Sequence, residues 1–316
     1  MARSVQAELS MHLCNFSAEE RADWGGMFAF ARAADAAGVD RLQVSDHVVF
    51  GEELEEYAKP EVGGTAGGKQ PTGPDGSWLE PITTIAVVAG MTSNIKFRTQ
   101  ILLAALRRPA VLAKTLATLD VLTGGRVDIG VGVGWQRAEY DAAGLPFEGR
   151  GRWLEHTLDV CRTLWTQQRA AFHSPELTFE AIHQGPKPLQ PGGVPIWISG
   201  TLRGSTVSRL VKYGPKWIPW GADAANLKES LPRLKDALAK AGGDVENLRV
   251  NGSVPVVRTA GGEVDIPRSM EGVAALYEIG VTDFSIPWNP RATNEREAEA
   301  GMRPLVSAFR SAVGRS

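Results

Sequence analysis

The apolar positions of this chain switch between a period of two and a period near 3.6, repeatedly, from one end to the other. VQAELSMHL and DRLQVS alternate as strands do, whereas PITTIAVVAGMT spaces its large side chains as a helix does. IKFRTQILL is strand-like, PAVLAKTLATLDVL is helix-like with Pro109 in its first turn, and RVDIGVGV is strand-like again. Leu154, Leu158, Cys161 and Trp165 then mark one buried face of a long helix. PIWIS, STVSRLVKYG, KWIPW, LKESLPRLKDALAKAG, LRVNGSVPVV, GVAALYEIG, TDFSIPW and a last helix around 293–311 continue the alternation. Ser17 followed by Glu20 forms a capping box that predicts the start of the first helix, which stops before Gly38.

Two stretches interrupt the rhythm. Residues 51–78, with GGTAGGKQPTGPDG, are too glycine-rich to pack as a core element and read as a mobile insertion after the second strand. Residues 168–192 read as a second insertion, a hairpin after the fourth strand. Strict alternation requires parallel strands, and eight strand–helix pairs in 316 residues predict an α/β fold of the closed (β/α)8 TIM-barrel type. No linker or shift in composition divides the chain, so residues 1–316 are expected to form one domain.

Composition narrows the function. The formal charge of −2 and the lack of any Lys/Arg block give no electrostatic case for binding nucleic acid or an anionic membrane. No apolar run approaches the ~20 residues of a membrane span, and MARSVQAELSMHL lacks the charged-then-apolar pattern of a leader. Cys14 and Cys161 stand far apart and outside any CxxC pair, which argues against a disulfide framework or a zinc site and suits a reducing cytoplasm.

The most unusual stretch is GGRVDIGVGVGWQRAEY, residues 124–140. A dinucleotide fingerprint needs G-x-G-x-x-G, but Trp135 fills the third position counted from Gly130, and Arg137 fills it counted from Gly132. Glycine in a strand weakens it, so bare backbone must serve a purpose. Either the glycines fill a tapering barrel, or they leave room for a flat ring or a phosphate at the strand's C-terminal end, where barrels of this kind keep their sites.

LATLDVLTGGRVDIGVGVGWQRAEYDAAGLPFEGRGRWLEHTLDVCRTLW resembles the central signature of the bacterial luciferase-like flavin and deazaflavin oxidoreductases. VSDHVV, WLEPITTIAVVAGMT and VPIWISG match in order and spacing, and the resemblance runs from about residue 5 to residue 290. SDHVV and LATLD are most similar to the branch that uses coenzyme F420 in place of FMN. The resemblance implies a TIM barrel with insertions, a small-molecule substrate and a homodimer.

It also implies roles. Asp46 and His47 end the second strand, where His47 would face the reactive side of the coenzyme and exchange a proton, and Asp46 would orient the imidazole or bond the ring system. By its residue type alone, His47 reads as a hydrogen-bonded surface histidine; its place on a barrel rim, beside a carboxylate and before the insertion, is what turns the reading to chemistry. Gln100-Ile101 fall where the family places a non-prolyl cis peptide against the ring; without the resemblance they read as a buried strand. Val133 and Gly134 follow the fourth strand and are expected at the coenzyme. Glu139, one turn on, is either a coenzyme contact or a charge on a helix surface. Trp135 stands where sugar-phosphate-oxidising relatives keep a glutamate, so it points to an apolar or aromatic substrate, or else is packing. Ser199, Gly200, Thr201, Arg203 and Ser205 open a helix after the fifth strand and are the expected phosphate site, with N-capping by Ser205 as the plain alternative. Trp220 and Trp288 follow strands and are expected to wall the substrate pocket. No metal is expected.

The leading function is therefore hydride transfer between reduced F420 and a small organic substrate. The alternatives are an FMN-dependent monooxygenase supplied with reduced flavin by a partner reductase, and a flavin-binding or carrier protein that lost catalysis.

Overall fold

The computed structural model describes residues 5–21, 23–287 and 294–315. Eight strands form its centre: β1 (Glu8–His12), β2 (Arg41–Val44), β3 (Lys96–Leu102), β4 (Val127–Val131), β5 (Ile196–Gly200), β6 (Lys216–Pro219), β7 (Arg249–Ser253) and β8 (Asp283–Ile286). They close in chain order, with β8 returning to β1, and every neighbouring pair is parallel. Parallel neighbours need a crossover, and helices supply it: α1 (Gly25–Ala37), α2 (Pro81–Ala89), α3 (Pro109–Thr123), the short α4 (Arg137–Ala142), α5 (Arg150–Thr166), α6 (Gly204–Tyr213), the short α7 (Ala222–Ala225), α8 (Leu227–Lys240), α9 (Ile266–Ile279) and α10 (Glu295–Ala312). The predicted (β/α)8 barrel is the observed fold.

The helix stops follow the sequence. Gly38 and Gly124 take left-handed backbone after α1 and α3 and satisfy carbonyls of the last turn. The capping box does not hold. Helix α1 begins at Gly25, with Trp24 before it and no side-chain cap, while Ser17 pairs with Ser77 in a two-residue antiparallel bridge. Strand pairing across sixty residues overrides the local capping signal, and the chain between is taken up as a loop.

Within the barrel strands the two side-chain rows differ sharply. The outward row is apolar and buried against the helices, as with Leu9, Met11, Leu42, Val44, Phe97 and Phe284. The inward row is polar. Arg41 Nη1 donates to Glu8 at 2.6 Å and to Asp283 at 2.7 Å, Arg249 joins both carboxylates, and Trp197 Nε1 donates to Asp128 at 2.9 Å. Arg98, fully buried, lies 4.1 Å from the Trp197 ring centroid and donates to Gln100, whose amide reaches across the barrel to Asn251. Burial and the like charge of Arg41 draw the Arg98 pKa down to about 9. This ionic layer occupies the barrel interior near the starts of the strands, and barrels of this kind keep their sites at the opposite, C-terminal ends.

Both interruptions lie outside the barrel. Residues 51–78 contain two 3₁₀ turns, Leu54–Ala58 and Pro60–Val62, and the short strand Ser77–Trp78. The second forms the predicted hairpin, Ala170–His173 against Thr178–Ile182, between α5 and β5.

Candidate functional site

Strand β2 runs out at Val44 into Ser45, Asp46 and His47, and these three diverge. The Asp46 carboxylate is buried, accepts from the Leu103 amide at 2.8 Å, and forms a two-pronged ion pair with Arg107 at 2.7 and 3.0 Å. It therefore ties β2 to the chain leaving β3. The orienting contact to His47 expected of Asp46 is made by Glu139 instead: its Oε1 lies 3.3 Å from His47 Nδ1 and accepts from the Val48 amide at 2.8 Å. Glu139 is 1% exposed, so it is no surface charge. Helix α4 folds its first turn back against the end of β2, a placement that helical spacing alone does not reveal.

Aromatic side chains enclose His47. Phe50 lies 4.5 Å away between ring centroids, Trp78 meets it edge-on at 4.8 Å, and Trp135 stands at 6.2 Å. The insertion completes this wall. Tyr57 packs on Trp135 at 5.4 Å and on Trp220 at 6.2 Å, while Trp220 Nε1 donates to the carbonyls of Gly63 and Gly64. Arg150 donates to Val62 and Gly134 carbonyls, so the insertion is fastened across the mouth of the barrel. Trp135 is buried, and its indole nitrogen has no hydrogen-bond partner. Trp288 lies outside the described residues.

The Gln100–Ile101 peptide is cis, as the resemblance implied, and the β3–β4 register breaks between Thr99 and Leu102. The Gln100 side chain turns into the polar interior and leaves only its backbone at the mouth. Gly130 of β4 and Gly132 just beyond its end face this bulge. A β-carbon on Gly130 would stand 2.3 Å from the Thr99 carbonyl oxygen, and one on Gly132 would stand 2.2 Å from Ile101 Cδ1. They are bare because the neighbouring strand presses on them, not because they form an open shelf. The Val133 carbonyl accepts from Tyr140, and Gly134 takes positive φ against Leu103.

After β5, Trp217 Nε1 donates to the Gly200 carbonyl and the Thr206 hydroxyl to that of Thr201. Helix α6 starts after Arg203 with no side chain capping it, so the alternative of capping by Ser205 is not what the structure has; Arg203 and Ser205 are exposed beside the open amides. The Leu202 amide is held by Asp223 at 2.7 Å.

Reasoning from sequence missed His12, at the end of β1. Its Nδ1 donates to the Gln43 carbonyl at 3.2 Å, its Nε2 faces the Ser45 hydroxyl at 3.1 Å, and burial draws its pKa down to about 4. The signal was present in the alternation, since Glu8, Ser10 and His12 form one polar row. Phe50, Tyr57 and Trp78 had no comparable signal. A cleft of about 290 Å³ opens between the start of the insertion and α4, lined by Trp135, Arg137, Glu52, Glu53, Glu56 and Asp141. Its carboxylates make it a poor seat for a phosphate-bearing group. Among the described residues, no cluster of three or more His, Cys, Asp or Glu is placed to hold a metal, and no helix is long and apolar enough to cross a membrane.

The family model of luciferase-like monooxygenases matches residues 11–264. An uncharacterised protein of Mycobacterium tuberculosis is 28% identical over 220 residues, spanning 70% of this chain and 73% of its own. Among solved structures, an F420-dependent secondary alcohol dehydrogenase with a bound F420–acetone adduct superposes with a TM-score of 0.70 at 16% identity, over 96% of this chain and 99% of that one. The oxygenating constituent of 3,6-diketocamphane monooxygenase from Pseudomonas putida, in complex with FMN, does so at 0.67 and 15%, over 93% and 96%. At such identities these likenesses establish the fold.

Proposed function

The chain belongs to the luciferase-like monooxygenase family, and from that premise we propose that it is an F420-dependent oxidoreductase acting on a small apolar or aromatic substrate. The observation that carries this reading is His47: a titratable ring at the barrel mouth, braced by a buried carboxylate and walled by Phe50, Trp78 and Trp135.

The residues present fit a phosphate-bearing ring coenzyme. The uncapped N-terminus of α6 offers free amides, with Arg203 and the Ser205 hydroxyl beside them, and Ser199, Gly200 and Thr201 lead into it. The backbone of Gln100 and Ile101 and that of Val133 and Gly134 would bound the ring. When bound, reduced F420 supplies a hydride. His47 then supplies the matching proton to the charge left on the substrate, so that the substrate gains both, and the reverse direction returns both. The aromatic wall excludes water from this exchange and gives a flat substrate faces on which to stack. The Asp46–Arg107 pair holds the β2 and β3 exits in register around it.

The test is substitution of His47. His47→Ala and His47→Asn each lose about 10²–10⁴-fold in turnover, while coenzyme affinity changes little because the backbone and phosphate contacts remain. Turnover retained with affinity lost would make His47 a binding residue and overturn its assignment.

A further inference from the structure

We propose that Glu139 is the positioning residue that decides which nitrogen of His47 carries the transferable proton; this rests on His47 being the proton-handling group.

The argument begins with donors and acceptors. The Val48 amide can only donate, and it donates to Glu139 Oε1 at 2.8 Å. The same oxygen lies 3.3 Å from His47 Nδ1. An ionised carboxylate only accepts, so the contact exists only if Nδ1 bears hydrogen. The neutral ring is then the Nδ1–H tautomer, and Nε2 is left as the nitrogen that takes and releases a proton. Which nitrogen is free is set by the bond the other one makes.

Packing keeps the ring in that pose. Phe50, Trp78 and Trp135 stand around it, and none of them is charged. Asp46, the next carboxylate in sequence, is turned away to Arg107 and the Leu103 amide. Glu139 is thus the charged group in contact with the imidazole. Its second oxygen, Oε2, is buried and has no hydrogen-bond partner. With that oxygen unpartnered, the buried carboxylate depends on the N–H groups that reach the other one, the Val48 amide and the Nδ1–H of His47.

A purely structural role, pinning the Val48 amide to α4, makes a different prediction. Glu139→Gln keeps an acceptor for Val48 at nearly the same volume but removes the negative charge. Nitrogen-15 and carbon-13 NMR of the imidazole in the coenzyme-free protein reads the tautomer without any turnover. The wild type shows hydrogen on Nδ1 in the neutral state. In Glu139→Gln the neutral acceptor holds that hydrogen less firmly, and the Nε2–H form grows to a measurable share of the neutral ring. Wild-type His47 with hydrogen on Nε2, or a tautomer share unmoved by Glu139→Gln, overturns the proposal, and the first of these needs no variant. If the ring responds as predicted while His47→Asn retains turnover, the proton-handling reading of His47 fails and its positioning by Glu139 stands.

Discussion

Ile101 lies over the bare face of Gly132, so closely that a β-carbon there would come within 2.2 Å of its Cδ1. The overlap is with the end of a flexible side chain, so it can be relieved. Gly132→Ala is expected to cost about 1–3 kcal/mol, by overpacking, and Ile101→Val in the same chain to recover much of it. Gly130 differs, because its neighbour at 2.3 Å is the Thr99 carbonyl oxygen. Gly130→Ala is therefore expected to cost more, with no recovery from trimming the nearby Ile218. Urea unfolding of the four variants checks this; equal costs, or no rescue by Ile101→Val, would contradict the account of these two glycines.

Asp46 is expected to matter for stability before it matters for coenzyme. Its buried carboxylate holds Arg107 and the Leu103 amide. Asp46→Ala strands both partners and is expected to cost about 3–5 kcal/mol, the range for breaking a buried pair. Asp46→Asn keeps one acceptor and costs less. Unfolding curves beside coenzyme titrations separate the roles: an Asp46→Ala protein of full stability that no longer binds coenzyme would return Asp46 to the ligand.

His12 links stability to pH. Burial lowers its pKa from 6.5 to about 4, so between those values the unfolded chain binds a proton that the folded one refuses. Stability is then full above pH 6.5 and falls as pH drops toward 4, by about 1.4 kcal/mol for each unit at most. His12→Gln removes this limb. Unfolding midpoints of both proteins from pH 4 to 7.5 test it, and parallel curves would show that His12 titrates normally in the fold.

The fold was legible because it rests on periodicity. Eight alternations of strand and helix, with Gly38 and Gly124 ending helices, define a parallel barrel before any contact is known. The candidate site was legible in part, as positions and not as contacts. Position in the chain brought out Asp46, His47 and the residues around Gly200, because strand ends form the mouth of a barrel. What those residues touch was not legible. Glu139 reaches His47 across 92 positions, and Asp46 reaches Arg107 across 61, so neither pairing leaves a trace in local sequence. The insertion misled for a related reason. GGTAGGKQPTGPDG looks unstructured, yet Tyr57 before it and Trp78 after it are walls of the site, fixed by Trp135, Trp220 and His47. Ser17–Glu20 gave a strong capping signal that long-range pairing with Ser77 overrode.

The choice of coenzyme tests the central claim most directly. The coenzyme-free protein is titrated with F420 and with FMN under the same conditions, following quenching of coenzyme fluorescence. The account predicts saturable binding of F420 at least about ten-fold tighter than FMN, a difference of about 1.4 kcal/mol. Tighter binding of FMN, or no saturable binding of F420, would contradict it and move the protein to the flavin-dependent side of its family.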